Sequence, residues 1–317
     1  MSADGAPLLA WTSDHVTLEL PEGHAFPIVK YRLLREKLLA ERVLDPAHLT
    51  YSDEAPDAWL TAVHDAGYVA RASAGGLDAA EVRRLGLPWS PELVRRARAA
   101  VFGTVQSARA ALRHGLAGSL SGGTHHAFRD RGEAYCLFHD QAVAIELLRG
   151  EGAIARPFVL DLDVHQGNGT AAIFAGDDAV FTYSLHGRHN YPYRKETSTL
   201  DVELDDGAGD DAVLAALDAT VPAALDRHAP DLVLYQAGVD ALASDRLGRL
   251  RMTHAGLAER DRRVFAWCAA RGLPVAFAAG GGYARPIDDT VEAYANTWRQ
   301  ARLAHAGRDG REGVAGR

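Results

Sequence analysis

Cysteine is scarce. Two residues, Cys136 and Cys268, stand far apart in a chain of 317. That is no disulfide framework, and it fits a reducing compartment. Positive charge is in deficit too, with 34 Lys and Arg against 42 Asp and Glu, a net charge of -8 with His neutral. A nucleic-acid binder carries a basic face, so the balance argues against one; an acidic surface favours cationic substrates instead. Long apolar runs are missing, and the opening MSADGAPLLAW has no basic segment leading into an apolar stretch. The expectation is a cytoplasmic protein with no signal peptide and no membrane span. Internal repeats and linkers are absent as well. The exception to ordinary complexity is the polar, Gly-rich ending GRDGREGVAGR, expected to be a disordered tail over 307–317 behind a single domain over 1–306.

What is present is enough apolar material, 47% of residues, for a sizeable core. The stretch from Phe158 to Thr170, FVLDLDVHQGNGT, organises the rest. Its apolar opening reads as a strand entering a buried sheet. Asp161, Asp163 and His165 follow at spacings of two, which places them on one face of an extended chain. Gly167 and Gly169 suit a tight exit loop. Two carboxylates and an imidazole together are expensive to bury without a partner, and a metal ion is the natural one. Asp with His suits zinc or iron.

Helices are expected over residues 28–40, from Ser90-Pro91-Glu92 to His114 with Gly115 as the stop, and over 140–149, 210–227, 255–270 and 288–304. Short apolar runs rich in β-branched and aromatic residues predict further strands at 179–186, 231–238 and 274–282. Strands buried on both faces and alternating with helices imply an α/β fold, a mainly parallel central sheet between helical layers.

In such sheets ligands bind beyond the carboxyl ends of the strands. The polar residues fall there: Asp161, Asp163 and His165 on one strand, Ser184 and His186 on the next, then Asp240, then Tyr283 after a run of glycines. Asp163, His165 and Asp240 supply the three ligands of a catalytic zinc site with one position left for water. Asp161 is left to orient a histidine. The adjacent His125 and His126, after Gly122-Gly123-Thr124, would handle protons across the metal, and Tyr283 would donate to an oxyanion. Together these residues describe a metal-assisted hydrolase acting on a carbonyl substrate.

GGTHHAF, DLDVHQGNGT, QAGVD and AGGGY, in this order, resemble the histone deacetylase superfamily over about residues 27–296. GRHNYP at 187–192 and DRLGRL at 245–250, with Gln166 and Asn168, look most like class IV deacetylases and their bacterial relatives. The resemblance implies an arginase-like three-layer fold with a narrow tunnel leading down to zinc. It carries the zinc ligands onto Asp163, His165 and Asp240, and the transition-state tyrosine onto Tyr283. The tandem histidines become His126 as the base and His125, facing Asp161, as its electrostatic or proton-donating partner. It implies a potassium site at Asp161, Asp163, His165, Ser184 and Leu185, partly through backbone oxygens, and a weaker cation site at Phe174, Asp177 and Val180. The tunnel would be lined by Tyr135, Cys136, Tyr191, Gly281 and Gly282, and Lys30 would match a basic residue at its floor.

The chain departs from the family pattern in places. Ala134-Tyr135-Cys136 stands where many relatives have Gly-Phe-Cys, and Tyr191 stands where Phe is frequent, so the tunnel is more polar and Ala134 crowds it. Asn168 replaces an Asp and leaves His126 without a charged partner. The implied reaction is removal of acetyl or longer acyl groups from acyl-lysine. Small acylated amines such as acetylpolyamines are the alternative substrates. A dimanganese ureohydrolase shares the fold but needs more metal ligands than the three found.

Overall fold

The computed structural model describes residues 7–315, and side chains as far as residue 307. Eight strands form one sheet: β1 Leu9–Thr12, β2 Leu49–Tyr51, β3 Leu116–Ser119, β4 Pro157–Asp161, β5 Phe181–Gly187, β6 Leu200–Leu204, β7 Leu232–Gln236 and β8 Val275–Ala278. Their order is β2-β1-β3-β8-β7-β4-β5-β6, and every pair is parallel. The expected α/β sandwich is therefore present, with all strand carboxyl ends along one edge.

Helices cover both faces: α1 Lys30–Ala40, α2 Asp57–Leu60, α3 Ala66–Ala74, α4 Ala79–Leu85, α5 Pro91–His114, α6 Asp140–Gly150, α7 Asn168–Ile173, α8 Asp210–His228, α9 His254–Ala270 and α10 Ile287–Ala315. The central strands show why the layers form. Phe158 and Leu160 of β4, with Val233 and Tyr235 of β7, pack with α1, α8, α9 and α10 residues such as Leu34, Leu217, Val264 and Trp298. Their alternates, Val159, Leu232 and Leu234, pack with Val101 of α5 and Val143 of α6. A strand of period two that is apolar at every position has to be covered on both sides.

Local signals set the helix ends. Ser90 Oγ accepts from Leu93 N at 3.1 Å, Pro91 opens α5, and Gly115 closes it at φ 78. Thr253 Oγ1 accepts from Gly256 N at the start of α9. Pro222 lies inside α8.

Three differences from the expectations stand out. Strands β1, β2, β3 and β6, three to five residues long, add to the four that were expected. α10 continues to Ala315 through most of the segment expected to be a disordered tail, and residues 316–317 lie outside those described. β4 ends at Asp161, so Asp163 and His165 are not in a strand. Their shared direction survives for another reason. Leu162 N still bonds Gln236 O and Gly187 N still bonds Val164 O, so Leu162 and Val164 stay in one core layer while Asp163 and His165 face away from it.

Candidate metal centre

Sheet order brings the site together. β3, β8, β7 and β4 are consecutive neighbours, and their carboxyl ends lead to the histidine pair, Tyr283, Asp240 and the Asp163–His165 turn respectively, while Ser184, expected at a strand end, lies in the middle of the next strand, β5. Asp161 Oδ1 accepts from Asp163 N, and Asp163 Oδ1 from His165 N, both at 3.1 Å. These bonds hold the turn beyond β4 in shape. Asp240 Oδ1 accepts from Val164 N at 2.8 Å, joining the β7 end to that turn. Arg260 of α9, 1% exposed, donates to Leu162 O and Gly238 O and so ties the same two ends from the opposite layer.

Asp163, His165 and Asp240 each offer a ligand atom within 4.8 Å of the others, and all three are buried. His165 Nδ1 lies 3.0 Å from Asp163 Oδ1 and 2.9 Å from Asp240 Oδ2. Burial, then the charge of Asp163, pushes the Asp240 carboxyl up to about 7. Burial pulls His165 down, but Asp240 and Asp163 outweigh it and lift His165 to about 10. Two buried carboxylates that ionise at each other's expense are a fit for a divalent cation, and the donor set matches one. Gly281 is required beside it, since a Cβ there would fall 1.8 Å from Asp240 Oδ2; its N–H donates to Asp163 Oδ2 at 2.6 Å.

The rings of His125 and His126 lie with centroids 4.0 Å apart, tilted by 45°, yet their settings diverge. His125 Nδ1 donates to Asp161 Oδ2 at 2.6 Å, and although burial opposes it, the Asp161 charge raises His125 to about 9. His126 Nδ1 donates to Asn168 Oδ1 at 2.7 Å. Burial, then the charges of His125 and His165, holds His126 well below its ordinary value. One imidazole is thereby kept charged and its neighbour neutral, the separation that assigns acid and base roles. The loop that presents them is caged by Asp140, fully buried, which accepts from Thr104 Oγ1, Gly123 N, Thr124 N and Thr124 Oγ1. Gly123, at φ 72, leaves no room for a Cβ, which would lie 1.9 Å from Ala279 O.

Tyr283 N donates to Asp245 Oδ2 at 2.6 Å, so a carboxylate from the 245–250 loop positions it. Its hydroxyl keeps its proton: burial, then Asp163 and Asp240, raises it well above 10. Lys30 Nζ donates to Gly280 O and Gly282 O at 3.2 Å and sits 5.0 Å from the Tyr283 ring centroid.

Two connected spaces meet here. An inner cavity is lined by Leu18, Leu87, Leu93 and Cys136 together with His125, His126, Asp163, His165, Gly281 and Tyr283. An outer mouth is lined by Tyr135, Tyr191, Tyr193, Arg84, Arg246 and Arg249, and it shares His126, His165 and Tyr283 with the cavity. Tyr135, Cys136, Tyr191 and Gly281 therefore border the path as expected. Gly282 does not: it packs against Thr290 and Val239. Ala134 and Tyr135 form a tight turn at φ 44 and 70, which is where a glycine would sit more easily. No Asp or Glu lines the mouth among the described residues. That qualifies the inference from net charge: the chain is acidic overall but Arg84 and Arg246 stand at its entrance, beside Arg249, which is paired with Asp206.

The residues expected around monovalent cations are neighbours in the sheet and its loops. Asp161 and Ser184 are register partners, with Leu185 next in β5. Ser184 Oγ and His186 Nδ1 are 2.9 Å apart. Phe174, Asp177 and Val180 share one loop, where Asp177 Oδ2 receives Arg149 Nη1 at 2.6 Å.

The sequence reading did not find Asp140, Gln236, Asp245, Arg260 or Glu133. Gln236, 0% exposed, donates to Gly123 O and so links the β7 end to the histidine loop. A polar residue at the end of an apolar strand was the one available signal for it.

An all-parallel α/β sheet carrying a buried Asp–His–Asp cluster, a histidine pair and a tyrosine at its edge defines a metal-site hydrolase. The histidine pair, the Asp–x–His turn and the tyrosine all lie within the part of the chain, residues 24–300, that matches the family described as histone deacetylase domain. The chain belongs to that family and is a hydrolytic deacetylase of the amidohydrolase kind. It is 45% identical over 290 residues to an uncharacterized protein of Picosynechococcus sp., covering 91% of this chain and 96% of that one. It is 31% identical to a histone deacetylase-like amidohydrolase of Pseudomonas aeruginosa, over 73% of this chain and 64% of the relative. A solved HDAC homolog complexed with SAHA has the same fold, with a TM-score of 0.80 at 22% identity, over 94% of this chain and 84% of that one. No helix among the described residues is long and apolar enough to cross a membrane.

Proposed function

We propose that the protein hydrolyses the amide of acyl-lysine in peptides or proteins, as a single catalytic domain reaching to about residue 306. The observation that carries this reading is a pair of adjacent histidines, one bonded to a carboxylate and the other to an amide, lining one cavity with a three-ligand cluster. Asp163, His165 and Asp240 would hold a zinc ion, or ferrous iron in its place, which when bound would supply Lewis acidity toward an amide carbonyl and a water. His126, neutral, takes the proton from the attacking water. Tyr283 donates its hydroxyl hydrogen to the developing oxyanion. His125, charged beside Asp161, stabilises that anion electrostatically, and the proton collected at the pair passes to the leaving nitrogen. The products are a carboxylate and a free amine. Potassium at Asp161, Ser184 and Leu185 would brace the turn that carries two of the ligands.

The mouth favours peptide over polyamine. Arg84 and Arg246 line it, and a polycation would meet them at short range; Arg249 beside them is paired with Asp206. Tyr135 and Tyr191 offer apolar faces to the methylene stem of a lysine. The apolar part of the inner cavity, with Leu18, Leu87 and Leu93, supports acyl groups longer than acetyl, in line with the class IV resemblance. A dimanganese ureohydrolase is the weaker reading, because a single three-residue cluster is found among the described residues and Asp161 is committed to His125. Two buried cysteines that form no disulfide are in keeping with the cytoplasm. Zinc-loaded and iron-loaded protein assayed on acyl-lysine peptides of several chain lengths, and on acetylpolyamines, tests the reading. Turnover of polyamines alone, or two manganese ions per chain, would overturn it.

A further inference from the structure

Asn168 faces a problem of symmetry. Its amide has an oxygen and a nitrogen of nearly equal shape, and only the oxygen can accept from His126. Turned the other way, Nδ2 would point at His126 Nδ1. That nitrogen would then have to carry the lone pair, with the proton on Nε2. An imidazole protonated at Nε2 cannot take a proton from water there.

The neighbour that breaks the symmetry is Glu133, a carboxylate only 9% exposed on the hairpin turn that also carries Tyr135. Its Oε1 accepts from Asn168 Nδ2 at 3.0 Å and also from the Tyr191 hydroxyl. Its Oε2 faces Arg131 Nε at 3.4 Å. An ionised carboxylate only accepts, so it forces Nδ2 toward itself and Oδ1 toward His126. Tyr191 in turn stands edge-on to the His126 ring, with centroids 5.1 Å apart at 89°.

We propose that Glu133 is the positioning residue for the reaction, fixing the Asn168 amide and through it the Nδ1–H tautomer of His126. The hydroxyl of Tyr191 ties this relay to the tunnel wall. The inference rests on the reading of His126 as the base, and it explains how an uncharged asparagine performs the orienting task of an aspartate: the charge stands one residue further back.

Glu133→Leu removes the acceptor. Its kcat is expected to fall about 10- to 100-fold, the usual cost of losing a group that orients a site residue, with KM and zinc content unchanged. Long-range nitrogen–proton correlation spectra of isotope-labelled histidine in the zinc-loaded protein, with His126 assigned by loss of its signal in His126→Ala, should show Nδ1–H alone in the parent and a mixture of tautomers in the variant. Asn168→Asp needs no orienting, because both its oxygens accept. The double variant E133L/N168D is therefore expected to recover most of what E133L lost, which a merely structural role for Glu133 would not give. An E133L protein that keeps pure Nδ1–H, or a double variant as slow as E133L, overturns the proposal. The spectra read the tautomer without turnover, so a parent with no activity on any acyl amide would refute the proposed function and leave this inference to be decided separately.

Discussion

The inner end of the tunnel and its mouth are a few residues apart and obey different rules. The inner end is assembled around strand termini, and buried carboxylates hold its parts: Asp161 holds His125, Asp140 holds the loop, Asp245 holds Tyr283. The mouth is assembled from the end of α4 at Arg84 and Gly86 and from loops around residues 134–135, 189–193 and 246–249. Its arginines are exposed, and Tyr193 is 86% exposed. Inside, low dielectric makes each charge consequential and each geometry fixed. Outside, water and salt weaken charges, so they steer rather than hold. Chemistry should therefore break sharply on substitution at the inner end, and selectivity should drift gradually at the mouth.

The largest effect expected is at the metal cluster. Asp240→Asn should abolish tight zinc binding, read by metal analysis, and lower kcat/KM by about 10^3-fold or more, since the Lewis acid is lost with it. The same variant, stripped of metal, should be more stable to urea than the metal-free parent, because a buried carboxylate beside Asp163 is gone. Next come the proton-handling groups. His126→Ala should cost about 10^2- to 10^4-fold in kcat, the range for a general base, and Tyr283→Phe about 10^2- to 10^3-fold, the range for one oxyanion donor, both with zinc retained. If either kept full activity, the inner end would not be the rigid chemical half of the comparison.

A third test uses acid. His64 is buried behind the site. Its Nδ1 donates to Phe128 O and its Nε2 accepts from His139 N, and burial pulls it down to about 4. The unfolded chain takes up this proton first, at about 6.5. Stability from His64 is thus complete above pH 6.5 and is lost as the pH falls toward 4, by about 3 kcal/mol at most. Urea midpoints measured across that window should fall, and they should fall less in a His64→Gln variant.

The mouth should respond weakly. Arg84→Glu with Arg246→Glu should raise KM for acid-flanked acyl-lysine peptides by about 3- to 10-fold at low salt, with the effect fading at high salt and kcat holding. A loss of kcat instead would place those arginines in the chemistry. The smallest effect is at Ala134. Replacing it by Gly at φ 44 should relieve left-handed strain and raise stability by about 0.5–1 kcal/mol, read by thermal unfolding.

Much of the site was legible because its signals are local. The Asp–x–Asp–x–His spacing, the histidine pair and the polar residues closing apolar runs each need only a few neighbouring residues to be seen. The strand reading of Asp163 and His165 reached the right face, although the ladder stops at Asp161 and side-chain bonds carry the turn beyond it. The short strands β1, β2 and β3 were not legible, whereas β8, no longer than β1 or β3, was marked by the polar and glycine residues that close its apolar run. α10 runs on to Ala315 across most of the Gly- and Arg-rich segment whose composition carries no helical signal.

By itself the sequence determined which polar residues follow the apolar runs of the central strands, because alternation and capping act over a turn or two of chain. Only the tertiary structure decided which strand lies beside which, and so that β3 delivers the histidines next to the Tyr283 strand and not to an edge. It also decided the partners: Asp140 under the histidine loop, Arg260 across the sheet, Glu133 behind Asn168, and an entrance lined with arginine on an acidic protein. Those contacts join segments far apart in the chain, where no local propensity acts and only the packing of layers brings the groups within a hydrogen bond.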